Sequence, residues 1–278
     1  MVGHAPAALK RRATPPQSKP TLWRNLRVAF LLLLLGIAAY SNWYDRLSTT
    51  DWDETLWVGV FPVDADGNAG TATWLARLSQ DDVIDIERFL NAEAKRHGVT
   101  IERPVRVDLY PLVTERPPHI DPDAGLLSRA MSSLRLRLYA RRNSHPPGRA
   151  PPQIRVFVLF HDPTFTQAVP HSVGLQKGLV GVVHAFAEDE MTPTNNVVIA
   201  HEILHTLGAS DKYDPVTLEP YYPAGYAEPD RKPLVPQVLT EIMAGRYVAA
   251  PGKFEMPDSL RDVRVGSATA LEIRWPQP

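Results

Sequence analysis

Hydrophobic positions along the chain fall into alternating and helically spaced runs, separated by polar breaks that carry proline. Leu56 to Val63 (LWVGVFPV) is a nearly continuous apolar run of strand length, with Pro62 marking an end or an edge. Ser79, Asp81 and Asp82 then supply an N-terminal signal for a helix in which Val83, Ile84, Ile86, Phe89 and Leu90 recur at helical spacing until Gly98. Val105 to Val113 alternates and predicts a second strand. A second helix is expected over Ala124 to Arg141, carrying Leu126, Leu127, Met131, Leu134, Leu136 and Leu138; it stops before HPPGRAPP, a surface loop. Ile154 to Phe160 (IRVFVLF) has the strongest strand pattern in the chain, and Gly178 to Phe186 (GLVGVVHAF) is expected as a fourth strand. A further helix begins near Val197, capped by Thr194 or Asn195, with Val198, Ile203, Leu204 and Leu207 at its apolar positions. There is no internal repeat. This order predicts an α/β fold of the α+β type, a mixed sheet packed by long helices in one domain.

Ahead of that domain the pattern changes. Residues 1–21 are rich in Pro, Ala, Lys and Arg and have no hydrophobic period, so they read as a disordered basic tail. Val28 to Tyr44 is uncharged and contains five consecutive leucines, with Trp23 and Trp43 placed as interfacial aromatics. Lys10, Arg11, Arg12, Lys19, Arg24 and Arg27 precede or flank it, and no acid appears before Asp45. The expectation is one transmembrane helix over 22–44, a linker over 45–54 and a folded domain over 55–278. The positive-inside rule leaves the tail cytoplasmic and the domain outside, in the periplasm if the cell is bacterial. A cleaved signal peptide ending near Ala38 and Ala39 is the rival reading, and it too exports the domain. A buried core helix is the plain alternative.

Composition narrows the chemistry. With 44% hydrophobic and 22% charged residues over 278 positions, the chain can bury a full core. Its net charge of -1 provides no field for nucleic acid. The absence of cysteine removes disulfides and thiolate ligands, which leaves His, Asp and Glu to hold any metal.

Those residue types meet in HEILHTLGASD. His201 and His205 are four apart, so on a helix both imidazoles share one face, while Glu202 sits about 100° round the axis and can address water at a metal. Gly208 follows where a left-handed residue would end the helix, and Asp211 comes after the turn as a third ligand, through oxygen, that leaves a fourth position open. The plain alternatives are an ordinary pair of helix histidines and a turn role for Asp211 within GASDKYD, with Asp214 as the fallback ligand. The other histidines, including His97, His119, His145, His161, His171 and His184, carry no metal signal, and Glu188 to Glu190 reads as a solvated loop.

The extended motif resembles that of the metzincin family of zinc peptidases. Its third position is Asp211 instead of the commoner His, which is similar to the snapalysin-like branch, and Tyr213 stands two residues after the Asp as in that branch. Met243 in TEIMAGR matches the family's methionine turn, and Asp258 to Trp275 can supply its final helix. The chain departs from the family in lacking a tyrosine two residues after Met243, and in carrying Pro215, Pro220, Pro223, Pro229, Pro233 and Pro236 between the motif and that turn. The assisting tyrosine therefore stays open between Tyr213 and Tyr247. The resemblance implies Zn2+ as cofactor, His201, His205 and Asp211 as ligands, Glu202 as general base, and Gly208, Met243 and Tyr213 in support. It also implies that GLVGVVHAF is an edge strand on which an extended peptide aligns, a core strand being the other reading. The expected function is a membrane-anchored zinc endopeptidase acting on protein or peptide substrates, with no nucleic-acid partner. Two alternatives remain: a catalytically silent envelope binding or scaffold protein, and a gluzincin in which a glutamate on a later helix, such as Glu241, supplies the third ligand. Cleavage preference and oligomeric state leave no trace in the sequence.

Overall fold

The computed structural model describes residues 21–276, except 120–124, 146, 147, 149, 167, 171 and 176–178. The chain divides into two compact units, residues 1–43 and 44–278. The basic tail expected over 1–21 falls outside the described residues but for Thr21, the first residue of helix α1 (Thr21–Thr50). Val28, Phe30 to Leu33 and Leu35 of α1 are exposed. Among the described residues no helix is long and apolar enough to cross a membrane, so the transmembrane helix expected over 22–44 has no support from the fold.

The segment expected as a linker over 45–54 is more structured than its composition suggests. α1 runs on to Thr50, and Thr49, Thr50 and Trp52 are buried. The Trp52 indole donates to the Ile273 carbonyl at 2.8 Å and meets Trp275 edge-on, with centroids 5.6 Å apart. A large aromatic with a satisfied N–H supplies enough buried area to fix its segment, and the second unit accordingly begins at Tyr44.

Five strands form the central sheet: β1 (Leu56–Asp64), β2 (Val105–Leu109), β3 (Ile154–His161), β4 (Val173–Leu175) and β5 (Val180–Phe186). Their order is β2-β1-β3-β5-β4, parallel except for β4, which runs antiparallel to β5. The mixed α/β class expected from the sequence is thus present. Parallel strands covered on both faces need apolar residues at every position, which is why β1 and β3 read as continuous runs. One face, with Val156, Val158 and Phe160, packs on helices α3 (Ile84–Arg96) and α5 (Thr192–Leu207). The other, with Phe61, Phe157 and Leu159, packs on Leu136, Tyr139 and Ala140 of α4 (Leu126–Asn143). Helix α2 (Ala69–Leu75) precedes α3 and has no counterpart in the hydrophobic pattern.

The boundaries expected for these elements hold to within a few residues, although Ala124 and Gly178 lie outside the described residues. Val113 meets Val63 in an isolated bridge, so the second strand proper stops at Leu109. The free edge of β2 is closed by side chains. Gln80, Glu87 and Asn91 accept from the Leu109, Val107 and Val105 amides, and Gln80 and Asn91 also donate to the Val107 and Val105 carbonyls. β4 covers the outer edge of β5 from Val180 to Val182, so over that stretch GLVGVVHAF is not the edge that the family resemblance implies, while among the described residues no strand pairs with the outer side of Val183 to Phe186.

After α5 the chain forms β6 (Thr240–Glu241), β7 (Tyr247–Ala250), β8 (Lys253–Glu255), β9 (Val263–Arg264) and α6 (Ser267–Glu272). The helix expected over Asp258 to Trp275 is thereby corrected to a six-residue one. Val263 and Arg264 pair instead with Thr240 and Glu241, and Gly266 closes on Glu241, where an added Cβ would stand 2.9 Å from the Glu241 Cγ.

Candidate metal centre

α5 starts at Thr192, earlier than a cap at Thr194 or Asn195 allows. Pro193 occupies its first turn, where a missing N–H costs no hydrogen bond. Asn195 bonds outward instead, accepting from the Phe186 amide and donating to the Phe186 carbonyl, which fastens α5 to β5. The helix ends at Leu207, and Gly208 adopts φ 105°, ψ 10°. Its amide and that of Ala209 return to the carbonyls of His205 and Leu204. This left-handed exit reverses the chain and carries Asp211 back over the helix face that bears His201 and His205.

The three side chains meet there. Asp211 Oδ1 lies 3.2 Å from His201 Nε2 and 3.1 Å from His205 Nε2, and the two rings stand nearly perpendicular with centroids 4.6 Å apart. Ligand atoms held about 2.0–2.2 Å from one tetrahedral ion would be separated by about 3.3–3.5 Å. The observed spacings are slightly tighter, so the set fits a single small cation with little movement. Among the described residues it is the one group of three or more His, Asp or Glu side chains so arranged.

Hydrogen bonds fix the tautomers. His201 Nδ1 stands 2.8 Å from the Ile242 carbonyl and His205 Nδ1 2.8 Å from the Ala209 carbonyl. A carbonyl only accepts, so both Nδ1 atoms carry hydrogen, and in the neutral rings each Nε2 lone pair is aimed at the shared point. Burial opposes a charge on His201, but the Asp211 and Glu202 carboxylates and the Ile242 carbonyl together outweigh it and raise its pKa above the ordinary value. Burial also works against ionisation of Asp211, yet its bonds to both imidazoles hold it well below the usual carboxylate range.

Glu202 is buried on α5 beside this cluster, and an added Cβ on Gly181 of β5 would stand 4.0 Å from its own Cβ. Tyr213 lies close enough to feel Asp211 and Glu202. Burial, followed by those two charges, raises its phenol pKa, so it stays a hydrogen-bond donor at neutral pH. Tyr247 donates instead to Glu255 in the β7–β8 hairpin at 2.8 Å, so the structure brings Tyr213 to the site and not Tyr247. Asp214, the fallback ligand, closes a local turn by accepting from the Val216 and Thr217 amides.

Met243 is completely buried in the turn after β6. That turn touches the site twice: the Ile242 carbonyl accepts from His201 Nδ1, and the Met243 carbonyl accepts from the Lys212 amide at 2.9 Å. Glu241 is no ligand. It is fully buried, with one carboxylate oxygen accepting from the Gly266 amide and the Thr269 hydroxyl and the other from the Ala244 amide. Its role as third ligand is excluded by that commitment.

Two residues at the site gave no signal in the sequence. Lys212, which is buried, and Glu272, which is partly exposed, form an ion pair at 2.7 Å beside the turn that bears Asp211. Only the proximity of α6 to that turn, a contact across 60 positions, reveals them. The chain matches no protein-family model, and no curated protein matches it.

Proposed function

We propose that the chain is a zinc-dependent endopeptidase that hydrolyses peptide bonds with Glu202 as the general base. The observation that carries this reading is the convergence of His201 Nε2, His205 Nε2 and Asp211 Oδ1 within 4.8 Å of one another, each imidazole backed by a main-chain carbonyl. Two imidazoles and one carboxylate, without thiolate, suit zinc with a position left for water or substrate. Zinc held there supplies an electrophile that polarises a peptide carbonyl and acidifies water.

The rest falls to the protein. Glu202 follows His201 on the same helix and is buried to 5% exposure, so its carboxylate meets little competing solvent. It takes the proton from the attacking water and returns it to the departing amine, with no covalent intermediate. Tyr213, kept protonated, donates a hydrogen bond to the oxyanion that develops on the carbonyl. Membrane attachment through the exposed apolar residues of α1, with the domain exported, belongs to the same proposal.

Metal analysis of the purified full chain, combined with cleavage profiling on a peptide library, tests it. Wild type should carry one zinc and cleave peptides. Glu202→Gln should keep the zinc and lose about 100-fold or more in hydrolysis, whereas His201→Ala should lose both. Undiminished hydrolysis by Glu202→Gln would remove the mechanism, and zinc without hydrolysis in wild type would favour a silent binding protein. Release of the protein from membranes by an alkaline carbonate wash would count against the anchor.

A further inference from the structure

The residue that carries the third ligand is the most exposed of the three, and the turn around it is held by a group outside the motif. Asp211 has 44% of its side chain exposed, whereas His201 and His205 have 14% and 18%. A ligand on an exposed turn loses conformational freedom when it binds, unless its backbone is already fixed. One carboxylate holds the backbone before Asp211 and the side chain after it, while the Lys212 amide is held by the Met243 carbonyl. Glu272, the last residue of α6, accepts from the Ser210 amide at 2.9 Å and from the Ser210 hydroxyl at 2.7 Å. It also accepts from Lys212 Nζ at 2.7 Å. Lys212 Nζ turns back as well, donating to the Ser210 carbonyl at 2.9 Å and to the Ser210 hydroxyl at 2.8 Å. The residues flanking Asp211 are thus clamped to α6 and to each other.

We propose that Glu272 is a positioning residue for the metal centre, acting through Ser210 and Lys212 to hold Asp211 where its carboxylate meets the two imidazoles. The proposal rests on the zinc reading above. α6 is itself anchored close by, because Thr269 donates to the buried Glu241, the residue before the Ile242 carbonyl that accepts from His201 Nδ1. Glu272 therefore joins the third ligand to the support of the first. Groups bonded directly to a metal ligand change the metal affinity by about 10- to 100-fold when removed; Glu272 acts one residue further out, through Ser210 and Lys212, so the lower end of that range is expected.

Zinc affinity of the full chain, measured by competition with a chelator, tests the role. Glu272→Ala should bind zinc about 10-fold more weakly than wild type. In the Asp211→Ala background the same substitution should change the affinity little, because a clamp has no effect once the ligand it holds is gone. A general structural role predicts equal losses in both backgrounds, and that result would overturn the proposal, as would an unchanged affinity in Glu272→Ala. Removing the carboxylate leaves the buried Lys212 charge unpaired, so folding is checked by melting the metal-free proteins. If Glu272→Ala does not fold, Ser210→Ala is read in its place: it removes one of the clamp's bonds without stranding a charge. A severalfold loss that vanishes in the Asp211→Ala background is expected there, and an unchanged affinity would again overturn the role. Absence of zinc binding by wild type would be a failure of the metal reading itself and is distinguishable from each of these results.

Discussion

His201 Nδ1 stands 2.8 Å from the carbonyl oxygen of Ile242, and this one hydrogen bond couples the motif helix to the turn that buries Met243. It orients the ring, fixes its tautomer and makes the position of a distant turn part of the ligand geometry. The same turn receives the Lys212 amide next to Asp211, so two of the three candidate ligands depend on it.

Met243 should matter through volume. Because its side chain is completely buried, Met243→Ala is expected to cost about 2–5 kcal/mol, while Met243→Leu should cost under about 1.5 kcal/mol. Urea unfolding of both variants provides the measurement. A loss below about 1 kcal/mol in Met243→Ala would mean that the turn can collapse onto the vacated space.

Gly208 should resist any side chain. Its φ of 105° lies in the left-handed half of backbone space, so Gly208→Ala should destabilise the protein by about 1–2 kcal/mol. Zinc affinity should drop as well, because this residue directs the chain that returns Asp211 to the histidines. Wild-type melting together with wild-type affinity in Gly208→Ala would show that the exit tolerates another conformation.

Trp52 fixes where the folded domain begins. With the indole N–H bonded to Ile273 and the ring packed on Trp275, Trp52→Ala should cost about 3–5 kcal/mol. A chain truncated just after Trp52 should melt at a lower temperature than one that starts at Tyr44. Identical melting of the two truncations would show that residues 44–52 add nothing to the stability of the domain.

Acid should weaken the fold through the histidine pair on the α4 side of the sheet. His161 Nε2 and His184 Nδ1 are 2.9 Å apart. Burial, then the charges of His161 and His119, push the His184 pKa down from 6.5 to about 4, and burial lowers that of His161 too. Between those values the unfolded chain binds the proton more readily than the folded one, so this contribution is complete above pH 6.5 and is lost as the pH falls toward 4. His201, shifted the other way, works in the opposite sense. The comparison is therefore between wild type and His184→Asn, and the variant should lose less stability over that interval. Parallel stability curves from chemical denaturation at each pH would refute the assignment.

The strands and principal helices were legible because their signal is local. β1 and β3 are apolar at nearly every position, Arg155 being the one charged residue inside them, since both faces are covered, and Ser79 caps its turn reciprocally with Asp82. Short elements without a hydrophobic period, such as α2 and β4, left no such mark. The segment after Asp258 misled for a different reason: its residues suit a helix, but Val263 and Arg264 gain more by pairing with β6.

For the candidate site the division is similar. The four-residue spacing of His201 and His205, the base beside them, the glycine that ends the helix and the carboxylate after it are all written within HEILHTLGASD. A helix has a fixed pitch and a left-handed glycine a fixed turn, so the sequence by itself determined which side chains share a face. Only the tertiary structure decided that Asp211 closes on both rings, that Tyr213 rather than Tyr247 stands near them, and that Glu241 is committed elsewhere. It alone joined Glu272 to Lys212 and Ser210. Those are contacts between segments far apart in the chain, set by how whole elements pack, and neither pitch nor propensity encodes them locally.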